Sequence, residues 1–199
     1  MTRSGSVPSS APLSADEGRD RAWIAAIRAG DQRAFEALFR AYVDDLVDFV
    51  ASIVRSTGVA EELIQDLFFR IWQQRELWEL SGPVRTYLFR AARNRAISHM
   101  RHERMTSVFL EQVARGDAAR PHGTTPPPDE TVREFDVTRA VERAVDDMPD
   151  RCREVFRLSR YHHLSNAEVA AVLGISPNTV EVQISRAIAF LRKRLAAFR

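Results

Sequence analysis

The chain has 199 residues and lacks the features that mark several large protein classes. Its one cysteine, Cys152, excludes both an internal disulfide framework and a zinc site built on cysteine ligands. No apolar run approaches the length of a membrane-spanning helix, so we expect no membrane insertion. Residues 1–19 hold no apolar segment of the kind that a secretory signal needs, and we expect a disordered leader there. These absences favour a cytoplasmic protein.

Strand-like alternation of apolar and polar residues is missing as well, and helical spacing replaces it. From Phe35 to Ile53, apolar residues recur every three or four positions, which predicts one long amphipathic helix with Asp31 as its cap. A short helix should precede it, and two further helices, at about 60–75 and 85–102, should follow. The predicted fold class is therefore all-α.

Composition changes in residues 113–131, which are rich in proline, glycine and threonine and poor in apolar side chains. Such a segment is typical of a flexible tether. Helical spacing resumes near Phe135 and continues to the end of the chain. We therefore predict two small helical domains, at 20–105 and 134–199, joined by a flexible linker over residues 106–133.

Charge is arranged in blocks, although the formal net charge is only +2. Carboxylates dominate between residues 43 and 66, and arginines dominate between residues 85 and 104. A second basic block follows Pro177, where Glu181 is the one acidic residue. Two separate basic blocks suggest two surfaces that contact phosphates, the plain alternative being solvated helix faces.

The C-terminal domain carries the signals of a helix-turn-helix. Ser165 and Glu168 have the spacing of a capping box, and Gly174 can adopt the left-handed conformation that ends a helix. Ser176 and Pro177 then start the last helix. Opposite the apolar stripe of that helix lie Glu181, Val182, Ser185 and Arg186. Side chains so placed near a helix N-terminus suit contacts with base edges, whereas a helical hairpin with a polar surface is the alternative.

The segment AEELIQDLFFRIWQQ predicts a helix with an unusual outer face. At 100° per residue, Glu62, Asp66, Phe69 and Gln73 line up opposite the apolar stripe. A phenylalanine displayed among acidic residues is typical of a protein-docking surface. Packing of Phe69 under a neighbouring helix would be the structural alternative.

The segment RTYLFRAARNRAISHMRHER predicts a basic helix. Its outward face gathers Arg90, Asn94, Ser98 and Arg101, which suit contacts with phosphates and bases. The loop before it contains Trp78, and an aromatic ring beside a basic helix suits capture of an unstacked base from single-stranded DNA. Trp78 could equally be a core residue.

In this order, these segments resemble the extracytoplasmic-function (group IV) sigma factors of bacterial RNA polymerase. The resemblance rests on GDQRAFEALFRAYVDDLVDFVASIV for the start of sigma region 2, AEELIQDLFFRIW for the polymerase-docking helix, and YLFRAARNRAISHMR for the −10 reading helix. Residues 148–195, from MPDRCREVFRL to QISRAIAFLRKRL, resemble sigma region 4. The resemblance implies a dissociable polymerase subunit that reads −35 and −10 elements and helps to melt the −10 region.

What the resemblance implies for partners and residues can be placed along this chain. The implied partners are core RNA polymerase, through its β′ clamp helices and β flap, promoter DNA and an anti-sigma factor, with no cofactor. Docking on polymerase is implied for Glu62, Gln65, Asp66 and Phe69. Contacts with the −10 element are implied for Trp78, Arg90, Asn94, Ser98 and Arg101, with Trp78 at the mouth of a loop that holds a flipped base. Contacts with the −35 element are implied for Glu181, Val182, Ser185 and Arg186.

Two departures from the family pattern leave the promoter sequence open. Glu181 stands where many members carry Arg or Lys, and Ser98 stands where many carry Asp or Asn.

Two other function classes share single features with this chain. The segment LSNAEVAAVLGISPNTVEVQIS also resembles the helix-turn-helix of LuxR-type activators and response regulators, but these need a receiver domain of alternating strands and helices. Residues 20–105 predict helices only. An enzyme or metal site is not expected, because the adjacent His162 and His163 point to different helix faces and no carboxylate stands at ligand spacing.

Overall fold

The computed structural model describes the backbone of residues 15–80, 82–114 and 133–196, and the side chains of 18–80, 82–106 and 139–196. The helices are α1 (Ala15–Arg28), α2 (Gln32–Val54), α3 (Thr57–Gln73), α4 (Val84–Ala114), α5 (Arg133–Asp146), α6 (Asp150–Arg160), α7 (Asn166–Leu173) and α8 (Pro177–Leu195). A 3₁₀ turn, Arg75–Leu77, follows α3. Within these ranges there is no strand, so the all-α prediction is confirmed.

The caps predicted from the sequence start and end these helices. Asp31 accepts hydrogen bonds from two amides of the first turn of α2. Ser165 and Glu168 form a complete capping box at the start of α7, with the Ser165 amide donating to Glu168 over 2.8 Å. Gly174 ends α7 with a φ of 65°, and Ser176 accepts from the Thr179 amide over 3.1 Å to start α8. Side-chain capping of this kind satisfies amides that would otherwise lack partners, and so it fixes the turn between α7 and α8.

Two helix boundaries differ from the sequence prediction. Helix α1 begins at Ala15, inside the segment expected to be a disordered leader, and acidic residues in its first turn favour a helix start. Helix α4 continues to Ala114, past the predicted start of the linker at residue 106. Residues 103–114 contain good helix formers and neither glycine nor proline. The rest of the expected leader, residues 1–14, and of the expected linker, residues 115–132, lies outside the described residues.

Helices α1 to α4 form the N-terminal domain around a core of aromatic and aliphatic side chains. Phe49, Phe89 and Leu88 are fully buried between α2 and α4, and burial of each contributes about 1.5–3 kcal/mol. The Tyr42 hydroxyl donates to Asp20 over 2.5 Å and ties α1 to α2. Burial, together with the Asp20 carboxylate, raises the pKa of Tyr42 far above its ordinary value, so the hydroxyl keeps its proton.

Helices α5 to α8 form the C-terminal domain. Val145, Met148, Cys152 and Ala187 are buried where α5, α6 and α8 meet. Burial raises the pKa of the Cys152 thiol, which suits a packing residue rather than a nucleophile. Helices α7 and α8 make the helix-turn-helix, with Val180 buried at the start of α8. The two domains touch, because α7 packs along α4 and α6 lies against α2.

Candidate docking and nucleic-acid surfaces

The candidate docking face is the outer face of α3, and the helical spacing of apolar residues determines which side chains turn outward. Ile64, Leu67, Phe68 and Ile71 are buried against α2 and α4. Glu62 and Gln65 are exposed on the other side, and Phe69 is 58% exposed. The alternative in which Phe69 packs under a neighbouring helix is therefore wrong. An exposed phenylalanine beside acidic and amide side chains forms a surface suited to a protein partner.

Asp66 lies on the docking face but is already engaged. It accepts a short hydrogen bond from Arg95 of α4, and the Arg70 guanidinium is 3.4 Å away on α3 itself. Burial acts to raise the pKa of Asp66, but the hydrogen bond and charge of Arg95 outweigh it and hold that pKa below its usual value. The pair joins α3 to α4. Local sequence patterns did not reveal it, because Asp66 and Arg95 are 29 positions apart.

The candidate −10 surface is the outward face of α4. Arg90, Asn94, Ser98 and Arg101 are all exposed, as predicted, along one stripe of the helix. Two other arginines of α4 point elsewhere, since Arg93 pairs with Glu154 and Arg95 with Asp66. The stripe therefore combines two cations with an amide and a hydroxyl, the groups that contact phosphates and base edges.

Trp78 is a core residue, which corrects its proposed position beside the DNA. Its side chain is only 6% exposed, and its ring centroid lies 5.9 Å from that of Tyr87. The 3₁₀ turn before it points Leu77 outward, at 84% exposure, and turns the large apolar indole inward. Burial of the large indole removes much apolar surface from water, and this stabilisation outweighs the usual exposure of side chains in a loop.

A cavity of about 450 Å³ lies where the loop after Trp78 meets the start of α4. Leu80, Thr86, Tyr87 and Arg90 form one side of this loop cavity. Ala167 and Glu168 of α7 form part of the opposite side. An aromatic ring, a hydroxyl and a guanidinium make a suitable lining for a nucleobase. Sequence patterns did not point to Thr86 and Tyr87, because their one signal was their place at the start of the basic helix.

The candidate −35 surface is the first half of α8. Val180 and Ala187 are fully buried, and this anchoring turns Glu181, Ser185 and Arg186 outward. Val182 is 42% exposed on the same side. The predicted outward set is therefore exposed as expected. The Glu181 carboxylate lies 3.5 Å from the Asn166 side-chain amide, at the first turn of α7.

Neither histidine of the pair in the α6–α7 loop belongs to a metal cluster. Among the residues that the structure describes, no group of three or more His, Cys, Asp or Glu side chains could hold a metal ion. His162 is buried against the N-terminal domain, and His163 is exposed. In the described part of the chain, no helix is both long enough and apolar enough to cross a membrane.

Comparisons with known proteins relate both domains to one family. Residues 38–106 match the family described as Sigma-70 region 2, and residues 138–191 match Sigma-70, region 4. RNA polymerase sigma factor CnrH of Cupriavidus metallidurans is 30% identical over 188 residues, which cover 91% of this chain and 96% of CnrH. ECF RNA polymerase sigma factor SigW of Bacillus subtilis is 24% identical over 176 residues, 86% of this chain and 94% of SigW.

Solved structures share the fold. The structure of CnrH in complex with the cytosolic domain of CnrY has a TM-score of 0.63 and 26% identity, and covers 90% of this chain and 98% of that one. The sigma factor RpoE of Bartonella quintana, solved with the anti-sigma factor NepR, has a TM-score of 0.61 at 23% identity, with 83% and 98% covered. A LuxR-type response regulator needs a receiver domain, whereas the N-terminal domain of this chain matches Sigma-70 region 2. The chain belongs to the sigma-70 family, in its extracytoplasmic-function group of promoter-directing subunits of RNA polymerase.

Proposed function

We propose that this sigma factor docks on core RNA polymerase through α3, reads the −10 element through α4 and reads the −35 element through α8. The observation that carries the proposal is the fixed relation between the first two surfaces. The apolar and acidic face of α3 and the basic face of α4 lie on neighbouring helices joined by Asp66 and Arg95. Polymerase bound to α3 would therefore hold α4 at a defined position over the DNA. The chain acts in the bacterial cytoplasm and by binding alone, so no catalytic residue is assigned.

On the polymerase side, Phe69 is the proposed anchor of the docking face. It is the large apolar side chain that α3 exposes, and Glu62 and Gln65 surround it with polar groups. An apolar centre with a polar rim is the common anatomy of a protein interface. The β′ clamp helices are the proposed partner of this face, and the β flap is the proposed partner of the C-terminal domain.

On the −10 side, the exposed stripe of α4 divides into two roles. Arg90 and Arg101 would contact phosphates, whereas Asn94 and Ser98 would reach base edges. Tyr87, whose ring lines the loop cavity, takes the place that the sequence suggested for Trp78. A base unstacked from the duplex could lie against that ring, which would favour melting of the −10 region.

On the −35 side, the N-terminal half of α8 is proposed to enter the major groove. Arg186 would bind a guanine or a phosphate, Val182 would pack on a thymine methyl group, and Glu181 would accept from the amino group of a cytosine. The basic residues of the last turn of α8, Arg192 to Arg194, can supply attraction to phosphates. Glu181 is then available for base selection.

An anti-sigma factor is the proposed regulatory partner. The solved structure of CnrH, which this chain resembles, contains the cytosolic domain of CnrY. In this chain, a groove of about 860 Å³ lies between α2, α4 and α6, and its lining combines apolar side chains, among them Ile53, Ile97 and Met100, with more arginines than carboxylates. An amphipathic helix with acidic flanks would fit this lining, because its apolar side would meet the apolar side chains and its carboxylates the arginines.

The test uses purified components. The chain is mixed with core RNA polymerase from a bacterium, and association is measured by co-elution and by fluorescence anisotropy. Transcription is then measured from a library of promoter fragments, with and without the chain. Association with core enzyme and new, chain-dependent start sites are expected. Binding to duplex DNA without binding to core enzyme would instead favour the activator reading and overturn the proposal.

A further inference from the structure

The carboxylate proposed to read a base of the −35 element has one described partner, which lies on the other helix of the helix-turn-helix. Glu181 is exposed on the first half of α8, and its Oε1 atom stands 3.5 Å from the side-chain amide nitrogen of Asn166 on α7. Among the residues that the structure describes, no basic side chain forms an ion pair with Glu181. A neutral amide is therefore the group that influences where this carboxylate points.

The fold holds Asn166 at a fixed place beside α8. It is the first residue of α7, directly after the cap Ser165. The Glu168 carboxylate accepts from both the amide and the hydroxyl of Ser165, over 2.8 and 2.7 Å, and so closes the first turn of α7. On the α8 side, the Ser176 cap and the fully buried Val180 fix the turn that carries the carboxylate. The contact therefore rests on two capped helix starts.

An amide donor suits a carboxylate that must stay available to DNA. A glutamate side chain has three rotatable bonds, so an unrestrained carboxylate is spread over several rotamers. One N–H of Asn166 can restrain it, because a carboxylate offers about four acceptor positions and one such bond leaves the second oxygen free. That oxygen can still accept from the amino group of a cytosine. A cation in the same place would be drawn to the phosphates as well.

Entry into the major groove strengthens this contact. At 3.5 Å and exposed to water, the hydrogen bond lies at the outer limit of length and contributes little in the free chain. Bound DNA removes water from α8, and hydrogen bonds become stronger in a drier environment. The same removal of water makes a carboxylate without a partner costly. Asn166 therefore acts when the base is being read.

The position of Asn166 at the start of a helix suggests a different role, which must be separated from this one. Polar groups in the first turn of a helix commonly contact phosphates, and such a contact strengthens binding to all sequences alike. A residue that positions Glu181 would instead change the preference at the base pair that Glu181 reads and leave the other base pairs unaffected. Preference and affinity, measured on the same variants, distinguish the two roles.

We propose that Asn166 is a positioning residue for recognition of the −35 element. Its side-chain amide holds the Glu181 carboxylate toward one base pair and thereby determines how strictly that base pair is read. The inference rests on the proposed function and adds to it a specificity-determining residue outside α8. Preorganisation is the physical basis, because a side chain already held in its binding geometry loses less conformational freedom when it binds.

The experiment measures base preference with the full-length chain bound to core polymerase. The DNA is a promoter fragment that responded in the transcription test, with its −35 element randomised, and bound fragments are selected and sequenced. Asn166→Ala removes the amide, and Asn166→Asp keeps the shape of the side chain but replaces the donor by a second carboxylate, which the first turn of a helix tolerates well. The matched control is Asn178→Ala, because Asn178 is exposed in the first turn of α8 and its side chain has no hydrogen bond to a described residue.

We expect Asn166→Ala to reduce the preference at one base pair by about 5-fold, since the carboxylate regains part of its rotamer freedom. That base pair should be the one whose preference is lost in Glu181→Ala. Asn166→Asp should reduce the preference further, because two neighbouring carboxylates repel each other. In the Glu181→Ala background, Asn166→Ala should cause no additional change, the sign of two residues that act as one unit. The control should select the wild-type sequence.

Three results would overturn the inference while leaving the proposed function standing. The first is an Asn166→Asp chain with the wild-type melting temperature and the wild-type base preferences. The second is an equal loss of affinity for all sequences, which would make Asn166 a phosphate contact. The third is an effect of Asn166→Ala that persists in full in the Glu181→Ala background. Failure of the proposed function itself would be seen without any change at Asn166, as a wild type that selects no −35 sequence or a Glu181→Ala chain that selects the wild-type one.

Discussion

Replacement of Phe69 by alanine gives the sharpest test of the docking face. A phenylalanine side chain offers about 200 Å² of surface, so the 58% that Phe69 leaves uncovered is about 115 Å². Complete burial of that area against polymerase would contribute about 3 kcal/mol at about 25 cal/mol per Å². The area that alanine retains reduces the expected loss to about 2 kcal/mol, a weakening of the affinity for core polymerase of about 30-fold. Folding should be unaffected within about 0.5 kcal/mol, because the ring lies outside the core.

The affinity is measured by anisotropy of labelled protein titrated with core polymerase. Leu77→Ala is the matched control, since Leu77 is an apolar residue with 84% exposure just beyond the end of α3. Phe69 is preferable to Asp66 as a target, because loss of Asp66 would also leave Arg95 of the −10 helix without its partner. A Phe69→Ala chain that binds within about 3-fold of wild type, with the same melting temperature, would show that α3 does not dock through this ring.

Three further predictions concern the C-terminal domain. Gly174→Ala places a side chain on a residue whose φ is 65°, so it should lower the free energy of unfolding by about 1 kcal/mol. The melting temperature should then fall by about 2–4 °C, and an unchanged melting temperature would show that the turn tolerates the substitution. Glu181→Lys should change the base preferred in the −35 element in a binding-site selection, and an identical selected sequence would refute its reading role. Burial lowers the pKa of His162 and outweighs the opposing effect of Asp45 and Asp48, so the folded chain, in which His162 packs on Phe49 and Phe89, is fully stabilised above the ordinary value of 6.5 and loses stability as pH falls below it. The melting temperature should therefore fall more between about pH 6.5 and 5.5 in the wild type than in His162→Gln, whereas an equal fall in the two chains would contradict the assignment.

Local signals predicted much of the fold. The caps at Asp31, Ser165 and Ser176 act over three or four residues, so a short window of sequence contains both partners of each hydrogen bond. Helical periodicity likewise placed Phe69 and Asn94 on outward faces, because one turn of a helix determines which side a residue takes. These features depend on no distant part of the chain.

Features that depend on distant parts of the chain were missed or misjudged. Trp78 lies in a loop, where no periodicity shows which way a side chain points, and its burial results from packing against α1 and Tyr87. The contact of His162 with Phe49 joins residues 113 positions apart, and two domains predicted as separate units gave no reason to expect it. The helical extension of α4 to Ala114 was overlooked because the composition of the next segment suggested a linker.

The ion pair between Asp66 and Arg95 has a consequence for how polymerase and DNA affect one another. A basic group of a partner that takes the Asp66 carboxylate would leave Arg95 with an uncompensated charge on the helix proposed to face the DNA. Arg95, once released from Asp66, could turn toward a phosphate, and a phosphate that binds Arg95 would in turn leave Asp66 available to the partner. By thermodynamic linkage, each event then favours the other to the same extent. Polymerase would bind one member of the pair and DNA the other, so each ligand breaks the salt bridge that the other must also break. A single salt bridge can therefore make promoter binding stronger when the sigma factor is bound to polymerase than when it is free.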